Sequence, residues 1–595
     1  MNEWFHPSFI FIMGAFLVPF LKGGIRRVYL LLLPSLAFLL VLSMPEGDYF
    51  AYRFLGNNLV FVHVDRLSLL FAYAFIIIQF VGMMYSLHLK DSRQHMAALF
   101  YGGSSLGAVF AGDYLTLFIF WEIMAFASAY LVFSGGAKNS VGAGFRYILV
   151  HIFGGIALFS GIALHYGGGG SLALGPIKEG TAFYLILTGF LLNAAAPPLS
   201  AWLPDAYPEA TVTGAVFLSA FTTKTAVYAL ARAFAGTELL FYLGIGMALY
   251  GIIYVMMEND IRRLLSYHII SQVGYMVAGV GMGGGLALNG ATAHAFTNII
   301  YKGLLFMGAG AVIHTTGLRK LSEAGGLLRA MPITFALYMI GGLSISAMPL
   351  FSGFVSKSMV VGAAISSHRG VAALLLTLVS TGTFLSTTLK LPYYVFFGKE
   401  REMEPEGRKE APFNMLLAMG IAAFLCIAIG IFPRLLYSIL PYPVDFEPYT
   451  SAHITGSLGL LLFTALAFFV LLRKLKPEAR INIDTDWFYR KGAGLFMWFV
   501  CNPLTRFNEA LGRAVSGSIP SFLAHVSRNP LATLNIAEDS LLLSISPGTK
   551  RAEIKERIKR KRSIYPADVI KRWPIGTAVL WVALFLLASL VVYYF

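Results

Sequence analysis

Cysteine is almost missing from this chain: its 595 residues include two, Cys426 and Cys501. An iron-sulfur cluster ordinarily takes four thiolates, and a zinc site takes Cys or His at close spacing, so neither centre is expected. Charge is scarce as well, at 13% of residues against 57% hydrophobic, with a mean hydropathy of +0.71. That balance excludes an ordinary water-soluble protein and puts the chain in a bilayer. No Walker-type phosphate loop and no dinucleotide fingerprint occur, and "YGGGG" at 166–170 reads as a flexible loop. ATP hydrolysis and nicotinamide binding are therefore not indicated, and no cofactor is expected in this chain.

What the sequence does contain is apolar runs long enough to cross the hydrocarbon core as helices, about 16 of them. They run from 8–22 and 27–43 through 65–87, 211–235, 290–315, 332–361 and 369–397 to a last one at 574–594. No basic stretch precedes the first run, so it is expected to be a retained helix and not a signal peptide.

The net charge of +15 is orientation information. Alternate loops on one side collect Lys22, Arg26, Arg27, Lys90, Arg93, Lys138, Arg262, Arg263, Arg319, Lys320, Arg329, Lys399, Arg401, Arg408, Lys409 and the basic tail. The other side has scattered residues such as Arg53, Lys178, Arg369 and Arg434. By the positive-inside rule both termini are expected outside the cytoplasm of a prokaryotic cell, in its inner membrane. Nucleic acid is not an expected partner; the lipid bilayer is.

Ionisable groups inside apolar segments carry the functional signal, because each costs at least about 2.5 kcal/mol at a helix centre and so marks a bundle interior or a hydrated path. Five stand out: Glu122 in "FIFWEIMAFASAYLV", Lys224 in "FLSAFTTKTAVYALARAF", Lys302 in "HAFTNIIYKGLLFMGAG", Lys357 in "PLFSGFVSKSMVVG" and Lys390 in "FLSTTLKLPYYVFFGK". His294 precedes Lys302 by eight residues, which puts it on roughly the same helix face. Lys357 and Lys390 lie near helix ends and have snorkelling to the headgroups as an alternative; Glu122 has a structural lysine partner as one. Taken singly, His151, His165, His294 and His314 read as hydrogen-bonded core residues rather than ligands.

A second signal is repetition. "APPLSAWLPDA" at 196–206 is echoed by "AMPLFSGFVSKS" at 347–358, and "AFTTKTAVYALA" at 220–231 by "LSTTLKLPYYVFF" at 385–397. Pro197, Pro198 and Pro349 each fall inside a membrane segment, and such breaks are tolerated where protein or water satisfies the freed backbone. An odd number of helices per copy inverts consecutive copies across the membrane, as in many secondary transporters.

In this setting the chain resembles the antiporter-like, proton-translocating subunits shared by respiratory complex I, Mrp-type cation/proton antiporters and membrane-bound hydrogenase-type complexes. The motifs that carry the resemblance, in order, are "VDRLSLLF", "FWE", "PPLSAWLPDAYPEAT", "TKTAVYALAR", "DIRRLLSYHIISQVGYM", "HAFTNIIYKGLLFMGAGAVIH" and "PLFSGFVSK". It implies an all-α polytopic fold with a core of about fourteen helices and two inverted five-helix repeats containing broken helices. The corresponding divisions here are 1–95, repeats at 96–235 and 238–397, further core helices at 412–473, a cytoplasmic-side lateral extension at 474–573 and a final helix at 574–595. By motif position it also implies that Glu122, Lys224, Lys302 and Lys357 belong to a proton relay, which Lys390 joins as the repeat counterpart of Lys224 and His294 by its place on the face of Lys302. Two positions depart from the family pattern: Asn193 stands where a lysine usually pairs with the glutamate, and Asn298 where many members have a second histidine. Asn193 cannot titrate, so the Glu122 switch is altered or acts on Lys224 directly.

In the extension, Phe507, Leu511, Val515, Ile519, Leu523 and Val526 recur at helical spacing, as on a helix lying along a surface. "TKRAEIKERIKRKRS" reads as a solvated helix or a binder of anionic headgroups. The expected function is ion translocation, of protons or in sodium/proton exchange, within a complex of other membrane subunits, including antiporter-like ones and, where redox-driven, iron-sulfur subunits on the cytoplasmic side. The alternatives are a self-sufficient antiporter, a bracing subunit that has lost transport, and a haem-bearing quinone-reactive subunit using His151 and His165.

Overall fold

The computed structural model describes residues 5–594 apart from 55, 137, 399–408, 473, 478–483 and 568–574. Of the loop residues named above, Lys399, Arg401 and Arg408 lie outside the described residues. The chain divides into two units, Met1–Trp487 and Phe488–Phe595.

The first unit opens with α1 (Pro7–Leu17) and α2 (Gly23–Ser43) and then departs from the all-α expectation. Gly47–Phe54 (β1) and Asn57–Val64 (β2) form an antiparallel hairpin in register Gly47↔Val64 and Ala51↔Val60. The cause is local: β-branched and aromatic residues predominate, and the chain turns at Gly56, whose φ of 81° suits glycine. Leu59, Val62 and Val64 are buried. The hairpin is tied to the helices by Asp113, which accepts from the Val60 amide at 3.1 Å.

Beyond it follow α3 (Arg66–Tyr85), α4 (Ser92–Phe110), α5 (Tyr114–Phe133), α6 (Ser140–Gly167), α7 (Thr181–Asn193), α8 (Trp202–Ala206), α9 (Gly214–Ala220), α10 (Thr222–Ala233), α11 (Glu238–Met257), α12 (Ile261–Met282) and α13 (Gly285–Thr316). Then come α14 (Pro332–Ile345), α15 (Ser352–Ser366), α16 (Gly370–Thr383), α17 (Phe413–Ile431), α18 (Arg434–Tyr437) and α19 (Ser451–Val470). Among the described residues, 10 helical stretches are long and apolar enough to cross a membrane. Carboxylate caps set several starts: Asp65 accepts from the Ser68 amide at 2.8 Å, and Asp260 from those of Arg262 and Arg263 at 2.9 Å.

Without a hydrophobic driving force between helices in lipid, close packing must hold the bundle together. α11 and α12 do this through Gly244, Gly251, Gly274 and Gly281, where an added Cβ would meet the facing backbone. α13 is the central post, 32 residues long and buried without a gap from Asn289 to Val312, touching α3, α9, α10, α12, α14, α15 and α17.

The two proline-bearing segments break in the same way. α7 ends with Ala196 N bonding Leu191 O and Ala195 N bonding Leu192 O, and Ala195 has φ 57°. α14 ends with Met348 N bonding Leu343 O and Ala347 N bonding Ser344 O, and Ala347 has φ 56°. Both are Schellman-type closures, with a left-handed alanine where glycine is usual. The segments at 220–231 and 385–397 are irregular too: α9 and α10 part at Phe221, and Phe384–Lys390 is a π-helical stretch continuing α16.

The second unit contains α20 (Asp486–Phe499), α21 (Thr505–Arg513), α22 (Ile519–Arg528), α23 (Pro530–Ile545), α24 (Gly548–Ile564) and α25 (Ile575–Tyr594). π-helical turns at Val500–Leu504 and Ala514–Ser518 join α20 to α22. Phe507, Leu511, Val515, Ile519 and Leu523 are exposed on this stretch. The basic helix α24 is packed on α23, where Asp539 pairs with Arg557 and, at 2.7 Å, with Lys561.

Candidate functional site

Each of the four intramembrane lysines ends on a main-chain carbonyl. Lys224 Nζ donates to Ser219 O at 2.6 Å, Lys302 to Leu265 O at 3.1 Å, Lys357 to Ile345 O at 2.7 Å and Lys390 to Met256 O at 2.8 Å. The backbone irregularities explain most of these partners. Ser219 borders the break at Phe221, Ile345 is the last residue of α14 beside Pro349, and Met256 is in the last turn of α11. Carbonyls at such ends lack helical donors and carry the negative end of the dipole, so an ammonium group suits them. Lys224 and Lys302 are 0% exposed and Lys357 and Lys390 3%. Lys357 therefore does not snorkel to the headgroups, since its chain is used to reach the Ile345 carbonyl, whereas Lys390 extends to the end of α11, as a snorkelling lysine would.

The lysines are joined by a seam along α12 and α13. Lys302 lies within electrostatic reach of both Lys224 and Lys357. His294 and Lys302, expected on one face, part company: Lys302 turns to α12, whereas His294 Nδ1 meets Ser356 Oγ of α15 at 3.1 Å. Eight residues span about 80° more than two helical turns, which is enough to divide them between neighbours. His294 Nε2 lies 3.4 Å from Tyr301 OH, which donates to Gln272 and accepts from Asn298 Nδ2 at 2.9 Å. Asn298 thus supports the tyrosine where a second histidine was expected.

Two residues that sequence reasoning did not single out belong here. His268, buried on α12, places Nε2 2.5 Å from Thr387 Oγ1 and 2.9 Å from Ser386 Oγ on the π-helical stretch, within electrostatic reach of Lys302 and Lys357. Glu258, at the end of α11, offers its carbonyl to Lys390 and pairs with Arg263 at 3.3 Å. Their positions inside "LLSYHIISQ" and "MMENDIRR" were the available signals.

The first half is sparser. Glu122 lies against Gly155 of α6; its Oε1 is buried without a hydrogen-bond partner, and no ion pair includes it among the described residues. The expected lysine partner is thus not found, because its place is Asn193, fully buried with neither amide atom hydrogen-bonded. Pro197 and Pro198 lie in the break after α7, and Pro349 in the break after α14. His151 is stacked on Tyr147 at 4.0 Å and edged by Trp202 at 4.6 Å, while His165 bonds the Ser171 carbonyl beyond the last turns of α6. His151 Nε2 is buried without a hydrogen-bond partner, and His165 Nε2 is engaged by that carbonyl.

Charged pairs close the ends of the bundle. Arg146 holds Asp205 at 2.7 and 2.9 Å, and Arg319 bridges Glu209 and Asp260, both at 3.1 Å. At the opposite end Arg232 grips Asp65 at 2.6 and 2.5 Å, and His63 reaches Asp48 at 2.5 Å. Burial opposes ionisation of Asp65, but hydrogen bonds from His63 and Arg232 outweigh it and hold the carboxyl below its usual range. The Asp65 contact, against partial burial and with Asp48 assisting, raises the His63 pKa.

The family described as NADH:quinone oxidoreductase/Mrp antiporter, TM, matches residues 111–386. The D-type subunit of the Na+/H+ antiporter of Alkalihalophilus pseudofirmus is 32% identical over 343 residues, covering 53% of this chain and 69% of that one. The A-type subunit of the same organism's Na+/H+ antiporter is 29% identical over 494 residues, 72% of this chain. The chain spans 61% of the length of that A-type relative. Among solved structures, a chain of the Mrp complex from Dietzia sp. DQ12-45-1b superposes with TM-score 0.64 at 22% identity, over 75% of this chain and 99% of that one. A chain of the membrane-bound sulfane sulfur reductase, an archaeal respiratory membrane complex, superposes with TM-score 0.68 at 22% identity, over 98% and 99%. These two likenesses establish the fold.

Proposed function

Because this chain belongs to the NADH:quinone oxidoreductase/Mrp antiporter family, we propose that it is an ion-translocating membrane subunit of a multisubunit complex, moving protons along its buried lysines. The observation that carries this reading is the set Lys224, Lys302, Lys357 and Lys390, each bonded to a backbone carbonyl, with hydrogen-bonded hydroxyl, amide and imidazole groups on α12 and on α13 and α15, which carry Lys302 and Lys357. A lysine held by a neutral acceptor can give up its proton without breaking an ion pair, and a like charge arriving at the next lysine favours release. Lys302, in reach of both Lys224 and Lys357, is the coupling point. Glu258 beside Lys390 supplies the cytoplasmic end, and Glu122 modulates the first half without a fixed cationic partner.

The matching Schellman breaks after Leu192 and Ser344 support two inverted repeats, and the loop charges support termini outside the cytoplasm. The relatives' names favour sodium as the counter-ion where exchange occurs. Redox chemistry belongs to partner chains in this reading, and no cofactor is assigned to this one.

The test is proton and sodium flux in sealed vesicles holding the native complex, with Lys224→Ala and Lys302→Ala. Loss of flux in an assembled complex supports the relay; wild-type flux in both variants makes the chain a brace.

A further inference from the structure

The proposed relay runs to Lys357, and the structure supplies a way onward. A cavity of about 230 Å³ opens beside Lys357 between α15, α16 and α19. A water molecule's share of liquid volume is about 30 Å³, so the space admits several. At its inner end are Lys357, Tyr275 and Ser346, all buried; at its far end are His453, half-buried, and Ala452 and Gly456, exposed. The walls between carry Ser358, Thr377, Ser380 and Thr381. Ser358, Thr377 and Thr381 donate to carbonyls of their own helices, which commits their protons and leaves the oxygens as acceptors. Ser380 Oγ lies 3.5 Å from Lys357 Nζ. Val361, Ile365, Leu376, Leu460 and Leu461 make the rest of the wall apolar, so these few hydroxyl oxygens are the acceptors along which a proton carried on water would pass.

The far end lies at the face opposite the basic loops. The connection before α19 is pinned to the N-terminal end of α13, where Asn289 and Tyr442 exchange hydrogen bonds of 2.9 and 3.1 Å, and Arg319 and Lys320 follow the other end of that helix. His453 is in the first turn of α19. Its Nδ1 bonds the Pro448 carbonyl at 3.3 Å and its ring stacks on Phe446, which fixes the tautomer and leaves Nε2 as the acceptor. The titratable groups that share its cavity are Lys357 of α15 and Tyr275 of α12, and the preceding connection carries Asp445, Glu447 and Tyr449; α16 lines the cavity with Leu376, Thr377, Ser380 and Thr381.

We propose that His453 is the outer terminal group of the ion path, taking the proton that Lys357 releases into the shared cavity and passing it to the outer solution. Residue 453 lies beyond the region 111–386 that the family model matches. The inference rests on the lysine relay proposed above. The step moves one proton, from Lys357 Nζ through cavity water to His453 Nε2 and then to bulk, and makes or breaks no other bond.

The experiment is flux in vesicles containing the native complex, followed against the pH of the outer-face solution, for wild type, His453→Gln, Gly456→Leu and Lys357→Ala. Glutamine keeps a donor for the Pro448 carbonyl. Leucine at 456 grows into open space, since a Cβ there meets nothing within 4 Å. The expected results are a fall in flux of about tenfold in His453→Gln with the outer-pH inflection lost, partial rescue by added imidazole, and a comparable fall in Gly456→Leu. A wild-type outer-pH profile in His453→Gln and Gly456→Leu, with flux abolished in Lys357→Ala, overturns the proposal while leaving the relay intact. Wild-type flux in Lys357→Ala overturns the relay and this exit together. If His453→Gln fails to assemble, Gly456→Leu decides.

Discussion

Lys357 Nζ donates at 2.7 Å to the carbonyl of Ile345, so the lysine of one half-helix closes the open end of the other across the Pro349 break. One bond thereby serves both roles: it satisfies a carbonyl that the break exposes, and it positions the group that the relay needs. Lys357→Met keeps most of the volume and removes the donor. It should abolish flux, and it should cost about 1–3 kcal/mol through the carbonyl left unpaired. Flux and thermal melting of the purified complex measure the two effects separately.

Glu122 enters no ion pair among the described residues, whereas Lys224 is buried with a single carbonyl partner. Removing the glutamate's charge breaks no bridge, so Glu122→Gln should keep flux within about threefold of wild type, and Lys224→Ala should lower it by tenfold or more, on the order of 1.4 kcal/mol or above in the barrier. Equal losses in the two variants would return Glu122 to the centre of the mechanism.

The close approach of α11 and α12 is a separate matter of fold. A Cβ on Gly274 would lie 2.5 Å from Ala248 N and 2.6 Å from Gly244 O, both backbone atoms. Gly274→Val should therefore push the pair apart and destabilise the protein by about 1–3 kcal/mol, read as a lower melting temperature in detergent.

His63 gives a pH dependence with a definite sign. Its pKa is raised by the hydrogen bond to Asp65, against partial burial and with help from Asp48. The stabilisation is thus fully present below the ordinary histidine pKa, near about 6.5, and is lost as pH rises through the higher folded value. The site is partly exposed and screened, so the effect is small. Wild type minus His63→Gln melting differences should shrink as pH rises from about 6 to about 8; a growing difference would contradict this pairing.

Asp484 accepts hydrogen bonds from Tyr250 and, at 2.5 Å, from Tyr267, fastening the chain after α19 to α11 and α12. Asp484→Ala should free this stretch, and faster tryptic cleavage at Lys474 in the native complex would report it.

The lysines were legible in the sequence because a charge within an apolar run of membrane length has few benign explanations. The proline breaks were legible for the same reason. His268 was not, since its partners Ser386 and Thr387 lie more than a hundred residues away and meet it only through the packing of α12 on the π-helical stretch. The division of His294 from Lys302 was equally hidden: periodicity gives the angle between two side chains but not which neighbour stands at each. The β-hairpin was not legible because each strand is short and lies between long apolar helices, whose signal dominates this part of the chain.

By itself, then, the sequence determined that this protein lives in a bilayer, that its basic residues gather in alternate loops, and that it keeps charged groups where lipid would forbid them. Those properties follow from composition and spacing, which are local. Only the tertiary structure decided that each lysine rests on a backbone carbonyl, that Glu122 stands without an ion-pair partner among the described residues, and that Lys357 shares a cavity with His453. Those facts depend on which helices touch, and that is set by glycine seams and helix breaks acting across the whole bundle.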